Sequence, residues 1–77
     1  MSETLGPNLD TITIIANGQP RIVKANSTIA DLLLELNIKP SRVVAQLNGA
    51  IVPRNEFDQA ILQPHCKLEI VTMVGGG

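Results

Sequence analysis

The chain has 77 residues, 44% of them apolar and 17% charged, which is enough apolar material for one small globular domain and too much for a disordered one. Six Lys and Arg against seven Asp and Glu leave a net charge of −1, and the rings are one Phe with no Trp or Tyr; this argues against a nucleic-acid surface, which needs a basic patch and stacking aromatics. One cysteine cannot close an internal disulfide, the Cys and His clusters of a zinc site are missing, and no apolar run approaches the ~20 residues that span a bilayer.

The opening ten residues, MSETLGPNLD, are acidic and polar and resemble neither a signal nor a transit peptide. They predict a loose leader over 1–10 and a cytoplasmic protein. From Thr11 polar and β-branched apolar residues alternate through Ile15, with Ile12, Ile14 and Ala16 on one face, as in a half-buried strand. Asn17-Gly18 follows, a dipeptide suited to the two positive-φ positions of a type I′ hairpin turn. A second strand, Arg21 to Ala25, should return antiparallel, with Pro20 marking it as an edge.

Ser27 and Thr28 open a helix, Thr28 and Asp31 standing at capping-box spacing. Ile29, Leu32, Leu33 and Leu36 form one apolar stripe, Asp31 and Glu35 lie off it, and Asn37 and Pro40 end it. A third strand is predicted over Val43 to Asn48, a turn at Asn48-Gly49 and a short strand at Ala50 to Val52. Arg54 to Leu62 reads as a turn or short helix. Cys66 to Val74 is the clearest strand, with Leu68 and Ile70 on one face and Val71 and Met73 on the other. The chain closes on Gly75, Gly76 and Gly77.

A one-stripe helix must lie across a sheet with one apolar face, so the class is α+β in two layers. The last strand finds its partner most simply by running parallel to the first at the centre of a mixed sheet of about four to five strands. That is a β-grasp over 11–74, with a flexible glycine tail over 75–77.

Catalytic constellations do not emerge. His65 is a lone loop histidine beside Pro64, Cys66 has no second thiol or base to make it a nucleophile, and the carboxylates are scattered. No phosphate loop, nucleophile elbow or metal spacing is present. The reading is of a protein that is not an enzyme and binds no metal or cofactor itself. The glycine end is the unusual feature. It reads either as a frayed terminus or as a delivery arm: glycines without Cβ atoms can thread a narrow slot in a partner and present the Gly77 carboxylate there.

The segment from Val43 to Gly77, VVAQLNGAIVPRNEFDQAILQPHCKLEIVTMVGGG, resembles the ThiS family of thiamine-biosynthesis sulfur carriers. The likeness rests on Leu47-Asn48-Gly49 followed by Ile51-Val52-Pro53-Arg54, on Leu68-Glu69-Ile70-Val71, and on the terminal Gly76-Gly77. With the Asn17-Gly18 hairpin and the leucine-rich helix it extends over roughly residues 12–77. The chain departs from the family pattern at His65-Cys66, where Gly-Asp is usual, and at Gly75, which lengthens the glycine pair to three.

The resemblance implies a ubiquitin-like β-grasp fold and a carrier whose Gly77 carboxylate is adenylated by a ThiF-type adenylyltransferase using ATP and Mg²⁺. Sulfur from a cysteine desulfurase or rhodanese-type donor then makes it a thiocarboxylate, and a ThiG-type thiazole synthase accepts the sulfur. Gly75 and Gly76 would occupy the partner's slot. If the helix covers Leu68 and Ile70, then Val71, Met73 and Val74 form a docking surface beside the reactive end. Two readings stand beside this one. A carrier of the molybdopterin-synthase small-subunit type shares the Gly-Gly end, but its usual aromatics and Pro-Pro pair are absent from Thr72-Met73-Val74. A ubiquitin-like interaction domain would carry its glycines incidentally.

Overall fold

The computed structural model describes residues 10–73. The hairpin begins with β1 (Thr11–Ala16) and β2 (Gln19–Lys24), paired antiparallel from Thr11↔Lys24 to Ala16↔Gln19. Asn17 (φ 50°) and Gly18 (φ +81°) form the turn with both residues in the left-handed region, as a type I′ turn requires. A two-residue turn makes Gln19 the first residue opposite Ala16, so the strand starts two residues before Arg21 and passes through Pro20. Pro20 is tolerated because β2 is an edge. Ala25 falls beyond β2, but its N–H donates to the Asp10 carbonyl at 2.9 Å and closes the ladder's end.

Helix α1 (Ile29–Glu35) has Thr28 as N-cap in a complete capping box. The Asp31 N–H donates to Thr28 Oγ1 at 3.1 Å, and the Thr28 N–H donates to Asp31 Oδ2 at 3.0 Å. An Asp thus reaches where Glu is usual. At the other end Asn37 takes φ 60°. Its N–H donates to Leu34 and that of Ile38 to Leu33, the paired bonds of a Schellman cap, with Asn in the place glycine commonly holds.

Pro40–Arg42 makes a 3₁₀ turn into β3 (Val43–Leu47), and Asn48 (φ 51°) with Gly49 (φ +88°) turns it into β4 (Ala50–Val52). The stretch read as a turn or short helix is one 3₁₀ turn, Arg54–Glu56, followed by loop that touches Thr28 through a bridge at Ile61. Strand β5 (Lys67–Thr72) comes last, shorter at both ends than the span from Cys66 to Val74. His65 stands at φ 65° and delays its start. Met73 lies just past its end, and Val74 lies outside the described residues.

The sheet order is β2-β1-β5-β3-β4. β5 runs parallel to β1 and antiparallel to β3, so the last strand is central. This is the ubiquitin-like β-grasp expected from the element order. One sheet face and the helix stripe enclose Ile14, Leu32, Leu33, Val43 and Leu68, with Phe57 and Leu62 sealing the side.

β5 is also held by side chains from the two hairpin turns that flank it. The Ile70 N–H donates to Asn17 Oδ1 at 2.7 Å, and Asn17 Nδ2 donates back to the Ile70 carbonyl at 3.1 Å. The Lys67 N–H donates to Asn48 Oδ1 at 2.9 Å. We therefore expect Asn17→Gly to preserve the turn and still cost about 1–2 kcal/mol, since it leaves two main-chain groups unpaired. Asn26, also left-handed at φ 69°, makes no side-chain bond among the described residues, so Asn26→Gly should stay within about 0.5 kcal/mol of wild type. Urea unfolding of the two variants checks the difference.

Candidate functional site

The region of interest is the end of the sheet where β5 gives way to the glycine run. The Met73 N–H donates to the Arg42 carbonyl at 2.7 Å, which carries the β3·β5 ladder one residue past Val43↔Thr72. Val74, Gly75, Gly76 and Gly77, named above as docking residue, slot residues and reactive end, lie outside the described residues.

Alternation along β5 decides what surrounds this exit. Leu68 is fully buried and Ile70 packs against the core beneath the helix. Val71 and Met73 point to the opposite, helix-free face and are 61% and 45% exposed. Directly across from Val71 stands Val44 of β3, 38% exposed, and on β4 lies Ile51, 66% exposed. Val44, Val71 and Met73 thus share the open face near the exit, with Ile51 on the same face two residues further in, opposite Gln46. The pairings Gln46↔Glu69 and Gln46↔Ile51 bound them on the side away from it.

Val71 and Met73 were legible from alternation alone. Val44 and Ile51 were missed, because only the register brings them alongside. The outward parity of Val44 within β3 was the available signal, and it lacked a partner strand to place it against.

Arg54, in the Val-Pro-Arg segment, has a local task. Its Nε donates to the Pro40 carbonyl at 3.1 Å and a terminal nitrogen donates to the Ser41 carbonyl at 3.5 Å. The guanidinium thereby braces the 3₁₀ turn that positions Arg42 and, through it, Met73. Charge is not neutral here: Lys39, Arg42 and Arg54 are all exposed around this turn.

The residues weighed for catalysis sit elsewhere. Cys66 is buried in the core cluster, its carbonyl accepting from the Ile15 N–H at 2.8 Å. His65 is exposed in the left-handed turn before β5, and its N–H donates to the Thr13 carbonyl at 2.7 Å. Among the described residues no three His, Cys, Asp or Glu side chains gather as metal ligands, and no helix is long and apolar enough to cross a membrane.

Comparison with known proteins matches this arrangement to one family. The crystal structure of a thiamine biosynthesis protein (ThiS) from Geobacter metallireducens superposes with a TM-score of 0.73 at 26% identity, covering 86% of this chain and 100% of that one. An uncharacterized protein ycf40 of Pyropia yezoensis is 35% identical over 66 residues, which is 86% of this chain and 93% of that protein. A thiazole synthase of Magnetococcus marinus is 34% identical over 61 residues, 79% of this chain but 19% of the synthase. The chain therefore spans about one fifth of the thiazole synthases it matches. The sequence model of the ThiS family matches residues 12–77, from the first strand through the last glycine, and the chain belongs to that family.

Proposed function

We propose that the protein is a sulfur carrier of thiamine biosynthesis, acting through the carboxylate of Gly77. The observation that carries this reading is the family match, which runs through the central strand and on through Gly75-Gly76-Gly77. The geometry supports it in a second way. β5 is anchored in the middle of the sheet, and the exposed apolar residues Val44, Val71 and Met73 stand beside its C-terminal end.

The chemistry needs little from the carrier itself. A carboxylate is a poor electrophile until one oxygen becomes part of a leaving group. A ThiF-type adenylyltransferase supplies this by letting the Gly77 carboxylate attack the α-phosphorus of Mg²⁺-bound ATP, with pyrophosphate leaving. The terminal sulfur of a persulfide on a cysteine desulfurase or rhodanese-type donor then attacks the acyl carbon and displaces AMP, and a thiol cleaves the S–S bond of the resulting acyl disulfide, leaving a donor disulfide and a thiocarboxylate. Its sulfur is a soft nucleophile, which a ThiG-type thiazole synthase uses in ring formation. Thiazole synthases that contain a segment like this chain within one polypeptide support that pairing. In this scheme the protein is a co-substrate, ATP and Mg²⁺ belong to the partner, and Val71, Met73 and Val74 dock against both partners.

The test is mass spectrometry of the C-terminal peptide after incubation with the adenylyltransferase, ATP and a sulfur source. Replacement of one oxygen by sulfur at Gly77, dependent on ATP and abolished by deletion of Gly76-Gly77, is the expected result. The gain must be mapped to that peptide at high mass accuracy, because oxidation of Met73 or Cys66 has nearly the same nominal mass. An unmodified Gly77 in the presence of an enzyme shown to be active overturns the reading.

The docking surface has its own test. Val71→Asp places a charge on an exposed position, so the unfolding midpoint should move by no more than about 0.5 kcal/mol in equivalent stability. Its affinity for the adenylyltransferase and the thiazole synthase should fall by at least about tenfold, which is ~1.4 kcal/mol. Isothermal titration with each partner measures it, and unchanged affinity for both removes Val71 from the interface.

A further inference from the structure

The main chain of β5 offers its hydrogen-bonding groups to alternate sides. Odd-numbered residues turn toward β3: the Asn48 N–H donates to the Lys67 carbonyl, and the Met73 N–H to the Arg42 carbonyl, both at 2.7 Å. The register between these ends is continuous through Val44↔Val71 and Gln46↔Glu69. Even-numbered residues therefore turn the other way, toward β1. The Cys66 and Leu68 carbonyls accept there from the Ile15 and Asn17 N–H groups, each at 2.8 Å.

β1 then ends. Its last pairing is Ala16↔Leu68, and the chain turns away at Asn17-Gly18. One further rung is supplied by a side chain, because the Asn17 carboxamide serves both the N–H and the carbonyl of Ile70. The next even-numbered residue is Thr72, an exposed residue. Its N–H and carbonyl point past the end of β1, and among the described residues no group on that side bonds to either. Val43, opposite it on β3, occupies a non-hydrogen-bonded position of the ladder.

We propose that this open rung is a strand-addition site, and that an extended main-chain segment of the thiazole synthase pairs with β5 at Thr72 when it receives the glycine tail. The proposal rests on the function argued above. One rung contributes only about two- to tenfold in affinity per hydrogen bond, too little to recruit a partner unaided. It serves a partner already held in place by other contacts. The enzyme that takes the tail is so held, because only Met73 and Val74 separate Thr72 from the glycine tail in the chain, and Val71 and Met73 flank the rung with exposed apolar surface. A second copy of this chain has no such tether. Pairing of this kind reads the main chain and not the side chain. It therefore fixes the direction in which the tail leaves the sheet.

Amide exchange of the full-length ¹⁵N-labelled chain, free and saturated with purified thiazole synthase from the same genome, tests the proposal. The Ile70 amide should be protected in both states. The Thr72 amide should exchange quickly in the free chain and slow by at least about 100-fold in the complex. Thr72→Pro removes only the outward-facing N–H and no bond to β3, so it should fold and bind about two- to tenfold more weakly. Thr72→Ala keeps the main-chain donor and should bind like wild type. Should Thr72→Pro fail to fold, the exchange measurement on the wild-type chain decides alone. A Thr72 amide that exchanges equally fast in the saturated complex overturns strand addition while leaving the carrier function standing. Protection of Thr72 in a dimer of the free chain assigns the rung to a second copy and overturns it equally. A wild-type chain that binds no thiazole synthase overturns the pairing of partners and this proposal with it.

Discussion

The carboxamide of Asn17 lies against Ile70 where a strand would otherwise be, and the position of β5 depends on it. The parallel pairing of β1 with β5 comprises only Ile15↔Lys67 and Ala16↔Leu68. Beyond them the strand that carries the tail would have a partner on one side alone. Asn17 lengthens that short ladder by one rung with the donor and acceptor of a single amide. Asn48 does half as much on the β3 side, accepting from the Lys67 N–H. Both asparagines occupy left-handed turn positions, where glycine would cost no strain but could not reach across. Each therefore answers two demands at once, a turn conformation and a side-chain bond to the central strand.

Central placement of β5 has consequences at both of its ends. At the start, His65 and Cys66 are committed to the fold, one through its N–H to Thr13 and the other through burial and its carbonyl. Cys66 lacks the exposure that a reactive thiolate requires, whereas the His65 side chain is exposed. At the finish, the ladder to β3 persists to Met73, so the last described residue is still fixed in direction. The anchoring of β5 thus fixes the point from which the glycine run starts. Arg54 contributes at one remove by bracing the turn before Arg42.

Much of this fold was legible because its signals are local. Alternation in Thr11 to Ile15, the Asn-Gly dipeptides and the stripe of Ile29, Leu32 and Leu33 each act within a few residues. The central place of β5 also followed, since a hairpin, a helix and a final apolar strand leave few other arrangements. The errors lie at boundaries and across strands. The second strand is expected from Arg21, but the two-residue turn before it sets the pairing from Gln19. Asn17 was fully accounted for by its turn, so nothing in the local pattern hinted at its bond to a residue 53 positions away. Val44 and Ile51 were hidden for the same reason: a patch that spans three strands is a property of register, and register is not written in any one strand.

The open face raises an energetic question that the closed one does not. A chain of this length buries a modest core, and its net stability is of the order of 5–15 kcal/mol at most. Each large apolar side chain brought fully inside would contribute roughly 1.5–3 kcal/mol. Yet Val44, Ile51, Val71 and Met73 stay in contact with solvent. Scattered, they would need no explanation, since single exposed apolar residues are common. They are not scattered: Val44 and Val71 are cross-strand partners, Met73 continues the same face, and all four lie on the strands from β5 to β4, on the half of the sheet away from the β1·β2 hairpin. Stabilisation withheld from folding at one place is available for association at that place. The helix covers the other face completely enough to leave Leu68 and Ala45 without exposure, so the fold does not need this surface. A partner that covers it gains the burial the monomer forgoes, and gains it at the point where the tail departs.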